Sequence, residues 1–203
     1  MHLNSILLFE KYAKRYFRDS AKVLEIGPDN HPSTYKKAVN NNTIIWETLD
    51  IFPSKKITYF SENEYKFPIN DASFDIVLSG NVLEHVKKVW IWIKELARVC
   101  KKGGKVITIV PVSWPYHINN EIPIEDCWRI YPEGMKALYE EADLKIDICK
   151  FESLESDGYK RVIPGVGLNS NGGKKINTKL LIKKIIKWPV TSSFDTIAIG
   201  TKI

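Results

Sequence analysis

The chain has 203 residues, 44% of them hydrophobic and 27% charged. One hydrophobic core stays efficient over that length, so a single domain spanning 1–203 is expected and a second catalytic domain is excluded. The net charge of +6 is local: residues 174–187 hold six lysines and no acid, and without them 24 basic residues face 24 acidic ones. That balance argues against a broad nucleic-acid-binding face.

In chain order, the first apolar run is too brief before Glu10 and Lys11 to form a secretory signal core or a membrane span. A cytoplasmic protein is expected. Cys100, Cys127 and Cys149 are widely spaced and form no CxxC pair, so they are read as reduced thiols. Ile6, Phe9, Ala13, Tyr16 and Phe17 recur near helical spacing and predict a helix over 4–17. Apolar runs at 22–27, 43–49, 56–60, 75–79 and 105–111 follow. Their near-continuous hydrophobicity predicts strands covered on both faces, as in a parallel sheet. Helical patterns at 33–39 and 86–101 separate them, the second ending in KKGGK, which reads as a basic, glycine-capped terminus.

Beyond 111 the texture changes to an aromatic, proline-rich loop over 112–131, and long loops inside compact domains are usually functional. A helix over 132–142 and strands over 144–151 and 194–201 complete the reading. Between the last two lies an insertion, 152–193, carrying the lysine-rich segment. On a helical wheel Leu181, Ile182, Ile185 and Ile186 share one face, and Lys179, Lys183, Lys184 and Lys187 the other. Such a helix either rests on an anionic membrane or acidic partner, or packs its apolar face on its own domain.

The most informative stretch is VLEIGPDNHPS, residues 23–33. A strand stopping at Gly27 lets the backbone approach a ligand, and Asp50, 23 residues later, ends the next apolar run. That interval is close to the roughly 20 residues expected before an acid that accepts hydrogen bonds from ribose hydroxyls. The pair predicts a nucleoside-bearing cofactor. A dinucleotide also fits the interval, but no GxGxxG follows the strand, so a pyrophosphate would lack its close-approach glycines. A sulfonium cofactor carries no phosphate and tolerates Pro28 and Asp29 at the turn.

With FPINDASFDIVLSGNVLEHV, residues 67–86, this motif makes the chain resemble the class I S-adenosylmethionine-dependent methyltransferases. The resemblance implies an α/β, Rossmann-like fold: a seven-stranded, mostly parallel sheet in the order 3-2-1-4-5-7-6, the last strand antiparallel, with helices on both faces. It implies S-adenosylmethionine as cofactor. It further implies that Glu25 and Gly27 hold the methionine end near Pro28 and that Asp50 takes the ribose hydroxyls. Asn63 and Glu64 fall where the family contacts adenine, and Gly80 and Asn81 line the methionine and sulfonium.

If the methyl acceptor is a hydroxyl, a base must take its proton, and histidine suits that near neutrality. His85 and His117 follow the fourth and fifth predicted strands and are the two candidates. Trp114, Tyr116, Asp126, Trp128 and Arg129 around His117 offer stacking faces, an acceptor and a cation, as an acceptor site for a sugar or ring needs. The bland alternative is that Trp128 and Tyr131 anchor the loop to the core while Asp126 and Arg129 pair with each other. The PYH and DCWRIYPEGM pieces resemble bacterial members associated with glycan biosynthesis, implying O-methylation of a small-molecule, sugar or glycan-like acceptor. A catalytically silent methyltransferase-like binding subunit and a nucleic-acid methyltransferase are the competing readings. No metal-ligand cluster of recognisable spacing is present, so no metal is expected.

Overall fold

A computed structural model describes residues 3–117, 124–155 and 193–203. Residues 156–192 of the insertion, including the predicted segment at 174–187, and the tip of the aromatic loop at 118–123 lie outside the described residues. The architecture is a seven-stranded sheet of β1 (Lys22–Ile26), β2 (Ile45–Asp50), β3 (Tyr59–Phe60), β4 (Phe74–Gly80), β5 (Cys100–Pro111), β6 (Leu144–Glu152) and β7 (Asp195–Lys202). Its strand order is β3-β2-β1-β4-β5-β7-β6, as the resemblance implied. β1 to β5 run parallel, while β7 is antiparallel to both β5 and β6.

Alternation along the strands divides the core into two layers. Leu24, Val77, Val106 and Ala198 face α3 (Val89–Val99) and α4 (Pro132–Glu141) and join Trp92, Leu96, Met135 and Tyr139. Val23, Ile76, Leu78, Ile107 and Ile199 face the other way and meet Leu8, Phe9, Phe17 and Tyr35. The latter come from the N-terminal segment and α2 (Thr34–Val39). A sheet covered on both faces has no polar side to place, which is why its strands read as nearly continuous apolar runs.

The predicted helix over 4–17 is three windings: α1 (Leu3–Leu8), a π segment over Phe9–Ala13 and a 3-10 turn over Lys14–Tyr16. Leu8, Phe9, Ala13 and Phe17 are all buried, and the change of winding keeps this wide set on the sheet. Ring contacts fix it: Phe9 lies 4.7 Å from Tyr35 and Phe17 stacks on Trp46 at 5.5 Å. KKGGK is likewise not a helix cap. α3 stops at Val99, β5 starts at once, and the ladder to β4 jumps from Phe74–Cys100 to Ile76–Lys105. The glycines serve that bulge, for a Cβ on Gly104 would sit 2.8 Å from the Asp75 carbonyl. β3 is shorter than predicted, because Thr48 and Thr58 exchange amide-to-hydroxyl hydrogen bonds just before it, both at 3.1 Å.

Candidate active site

The strand order reverses direction at β1, where β2 and β3 lie to one side and β4 and β5 to the other. Ligands of open parallel sheets bind outside the carboxyl ends of the strands at such a point. Gly27 follows β1 with φ +63°, a conformation that favours glycine, and its amide donates to the Leu49 carbonyl at 2.9 Å. A Cβ there would meet Val82 Cγ2 at 2.5 Å. Since Ile26 pairs with Leu49, Gly27 and Asp50 are neighbours at the strand tips. Asp50 Oδ1 accepts the Phe52 amide at 3.1 Å, and burial pushes its carboxyl above the usual range while the Phe52 and Ile51 amides pull it back.

No second glycine is needed after Gly27, because side chains build the turn. Asp29 accepts the Thr34 amide at 2.9 Å and the Thr34 hydroxyl at 2.7 Å. Ser33 caps α2 by accepting the Lys36 amide at 3.1 Å and donates to Glu25 Oε2 at 2.5 Å. A carboxylate already occupies the start of α2, the place a pyrophosphate takes in a dinucleotide site, so the turn suits a ligand without phosphate. Glu25 itself is buried, with the Trp46 indole N–H also donating to Oε2 at 2.8 Å. Burial raises its carboxyl to about 7 despite both donors. These contacts give Glu25 a part in positioning the turn and β2.

Gly80 ends β4 against Tyr35, whose hydroxyl would stand within 2.1 Å of a Cβ there. That hydroxyl is buried and has no hydrogen-bond partner among the described residues. Asn81 has φ +58° and donates its amide to the Ile109 carbonyl at 2.8 Å. Asn63 and Glu64 follow β3, where Asn63 Oδ1 accepts the Tyr65 amide at 2.8 Å and shapes the turn. The half-buried Asp50 carboxyl and a turn whose helix start is already taken by Asp29 fit a sulfonium nucleoside at this edge. A cavity of about 500 Å³ lined by Arg98, Cys100, Asp143 and Lys202 lies instead where β5 begins and β7 ends, at the far side of the sheet.

Beyond Asn81 a 3-10 turn, Leu83–His85, and the aromatic loop converge. Glu84 holds that loop with its backbone carbonyl, which accepts the Cys127 amide at 2.8 Å and the Trp128 amide at 3.1 Å. Its carboxyl is buried and raised to about 8 by that burial, and Oε2 has no partner among the described residues. His85 Nδ1 donates to the Glu125 carbonyl at 2.8 Å, leaving Nε2 3.8 Å from Glu84 Oε1. Burial lowers the His85 pKa, so its ring is neutral near pH 7.

His117 reaches the same place from the other end of the loop, its ring 5.2 Å from that of His85. Asp126 fixes it, accepting the His117 amide at 2.8 Å and lying 3.2 Å from Nδ1. Asp126 is gripped at both oxygens by Arg129, at 2.5 and 2.6 Å. Although burial opposes it, Arg129 and the His117 amide hold the Asp126 carboxyl below its usual value. Arg129 also donates to the Trp114 and Pro115 carbonyls. The Asp126–Arg129 pair therefore builds the loop, as the bland alternative had it, and Trp128 anchors it by donating to the Val86 carbonyl at 2.9 Å. Tyr116 is 74% exposed and keeps its face open.

Sequence reasoning missed Glu84. Its signal was a carboxylate between apolar Leu83 and Val86 in a segment that buries both neighbours. The structure also brings together a group that sequence spacing did not suggest: Glu84, His85 and His117 each offer a donor atom, and these lie within 4.8 Å of one another. Sequence spacing hid it because His117 arrives from another strand end.

Residues 9–108 match the family described as Methyltransferase domain, a span holding β1 to β4, Glu84 and His85. This match covers just under half of the chain, and together with the strand order it makes the chain similar to methyltransferase domains of Rossmann-like fold.

Demethylmenaquinone methyltransferase of Lactobacillus johnsonii is 32% identical over 120 residues, covering 54% of this chain and 49% of the relative. An uncharacterized methyltransferase of Mycobacteroides abscessus is 40% identical over 52 residues, 26% of this chain and 20% of the relative. The matches thus span half or less of those relatives. Among solved structures, phosphoethanolamine N-methyltransferase 2 of Haemonchus contortus in complex with S-adenosyl-L-methionine superposes with TM-score 0.63. Its identity is 12%, over 98% of this chain and 52% of that one. An S-adenosylmethionine-dependent methyltransferase of Archaeoglobus fulgidus gives 0.60 at 16% identity, over 97% and 94%. At these identities the likeness carries the fold.

Proposed function

We propose that the chain is an O-methyltransferase acting on a small-molecule, sugar or glycan-like hydroxyl at the carboxyl ends of β4 and β5. The observation that carries the reading is the meeting of His85 and His117, which follow two separate strand ends, with ring centroids 5.2 Å apart. The cofactor supplies, when bound, a methyl group on a cationic sulfur. Asp50 accepts the ribose hydroxyls, while Gly27 and Gly80 let Val82 and Tyr35 pack against the ends of β1 and β4. Orientation supplies most of the rate, because in-line displacement depends on aligning acceptor oxygen, carbon and sulfur.

His85 presents a bare Nε2, since its Nδ1–H is held by the Glu125 carbonyl, and a neutral ring is ready to accept the acceptor's proton. The open faces of Tyr116 and Trp128 suit a ring or sugar lying across the loop. Function in the cytoplasm is part of this reading and is supported by free thiols at Cys100, Cys127 and Cys149. Among the described residues no helix is long and apolar enough to cross a membrane.

The test is release of S-adenosylhomocysteine from a panel of hydroxyl-bearing acceptors, with His85→Ala and His117→Ala beside the native chain. The reading expects turnover on at least one acceptor and a loss of about 100-fold or more in one of the variants. Cofactor affinity by calorimetry should change little. Full turnover in both variants would remove histidine from the chemistry.

A further inference from the structure

We propose that Glu84, His85 and His117 bind one divalent transition-metal ion that holds the acceptor oxygen; this deepens the reading of that site as the acceptor site. Two nitrogens and one carboxylate oxygen within 4.8 Å of one another match the donor set of two histidines and a carboxylate on one face of an ion. Such a set leaves coordination positions open for water or substrate.

The surroundings are those of a ligand shell. Metal-binding histidines donate their second ring N–H to a carbonyl or carboxylate, which fixes the tautomer and aims the lone pair. His85 does so through Nδ1 to the Glu125 carbonyl at 2.8 Å. His117 does so through Nδ1, with the Pro115 carbonyl and Asp126 Oδ2 both at 3.2 Å. In each ring the remaining lone pair is on Nε2. Asp126 is clamped in turn by Arg129 at both oxygens, so the second shell is itself held.

Glu84 supplies the independent observation. Its side chain is 1% exposed, it sits between the sheet and the loop, and Oε2 has no partner among the described residues. A buried carboxylate oxygen without a donor is costly unless something cationic or protonated completes it. A divalent ion seated among the three side chains does so. It also accounts for a glutamate at a position where an apolar residue would pack against Leu83 and Val86 at no such cost.

The ion changes what the histidines do. As ligands they hold the metal and do not carry away the proton. An acceptor hydroxyl bound at an open position has its pKa lowered, and its O–H bond breaks with the proton passing to water. The oxygen's electron pair forms the new bond to the methyl carbon as the carbon–sulfur bond breaks, and that pair remains on sulfur in S-adenosylhomocysteine. No oxidation or reduction is involved.

The test uses the full chain stripped with chelator and titrated with Co2+, read by visible absorption and calorimetry, with S-adenosylmethionine binding measured alongside. One Co2+ per chain is expected, with a d–d band that is lost in His117→Ala and Glu84→Gln. His117 stands on the exposed loop, so its variant keeps the fold, and unchanged S-adenosylmethionine affinity verifies this. Asp126→Asn should weaken Co2+ about 10- to 100-fold. Once an acceptor is known, chelator should abolish turnover and Mn2+ or Co2+ restore it. S-adenosylmethionine binding without Co2+ binding, or Co2+ binding that survives both ligand variants, overturns the metal site and leaves the methyltransferase reading standing. Co2+ binding without S-adenosylmethionine binding does the reverse.

Discussion

Asp50 sits at the tip of β2 with one oxygen already engaged by the Phe52 amide, so its orientation is set before any ligand arrives. A carboxylate held this way loses little freedom on accepting two ribose hydroxyls, and hydrogen bonds to a charged group are worth about 1.5–3 kcal/mol. Asp50→Ala should therefore weaken S-adenosylmethionine binding about 10- to 100-fold in calorimetry while the melting temperature changes little. Retained affinity would place the nucleoside elsewhere. Glu25 differs in kind. Both of its donors come from the scaffold, the Ser33 hydroxyl and the Trp46 indole, so it ties the turn after β1 to α2 and β2. Its residue type was legible in the sequence as part of a cofactor motif; its partners were not, because Trp46 reaches it through the pairing of β1 with β2.

At the scale of elements, the N-terminal segment is fastened to the sheet by polar groups as well as by its aromatic rings. Asn4 is fully buried and donates to the Glu152 carbonyl and to Asp195 Oδ2, each at 3.0 Å, while its own Oδ1 accepts the Leu154 amide at 2.7 Å. Asn4→Ala removes the hydrogen bonds to the Glu152 carbonyl, to Asp195, which keeps the Ser5 hydroxyl at 3.1 Å, and from the Leu154 amide, at a cost of about 2 kcal/mol. A drop in denaturation midpoint measures it. An unchanged midpoint would mean that the aromatic contacts of Phe9 and Phe17 suffice. The existence of α1 was legible from its periodicity, but not its change of winding, since a 3.6-residue pattern does not report the wider turn over Phe9–Ala13. The KKGGK segment misled for a related reason: glycines after a helix and glycines in a bulge leave the same local trace, and the pairing of β4 with β5 decides between them.

Across the whole molecule, the strands were legible because a twice-covered sheet leaves long apolar runs, while their order and the antiparallel last strand came from the family resemblance carried by residues 23–33 and 67–86. The acceptor side was legible only as residue types. His85 and His117 stood out as bases, yet Glu84 acquires its role only when the loop beyond β5 folds back and buries it.

The buried carboxyls also set how stability responds to pH. Glu25 and Asp195 are both raised to about 7 and Glu84 to about 8, chiefly by burial, from ordinary values near 4.5, 3.8 and 4.5. Groups raised on folding contribute stability that is complete below their unfolded values and lost as pH climbs to about 7 for Glu25 and Asp195 and to about 8 for Glu84. His85, lowered on folding by burial, acts the other way below 6.5. The melting temperature should accordingly be higher at pH 5.5 than at pH 8. Glu25→Gln should remove about 2 kcal/mol of that difference, taking 1.4 kcal/mol per unit. A profile that rises toward pH 8 would contradict the burial of these carboxyls.

The central claim is that the tips of β1 and β2 hold the adenosyl group with its sulfur toward β4. A crystal structure of the full chain grown with S-adenosylhomocysteine tests it most directly. The ribose hydroxyls should lie within hydrogen-bond distance of Asp50 and the homocysteine should pass between Gly27 and Gly80. Density for the ligand at any other place on the molecule, with those residues bare, would contradict the account.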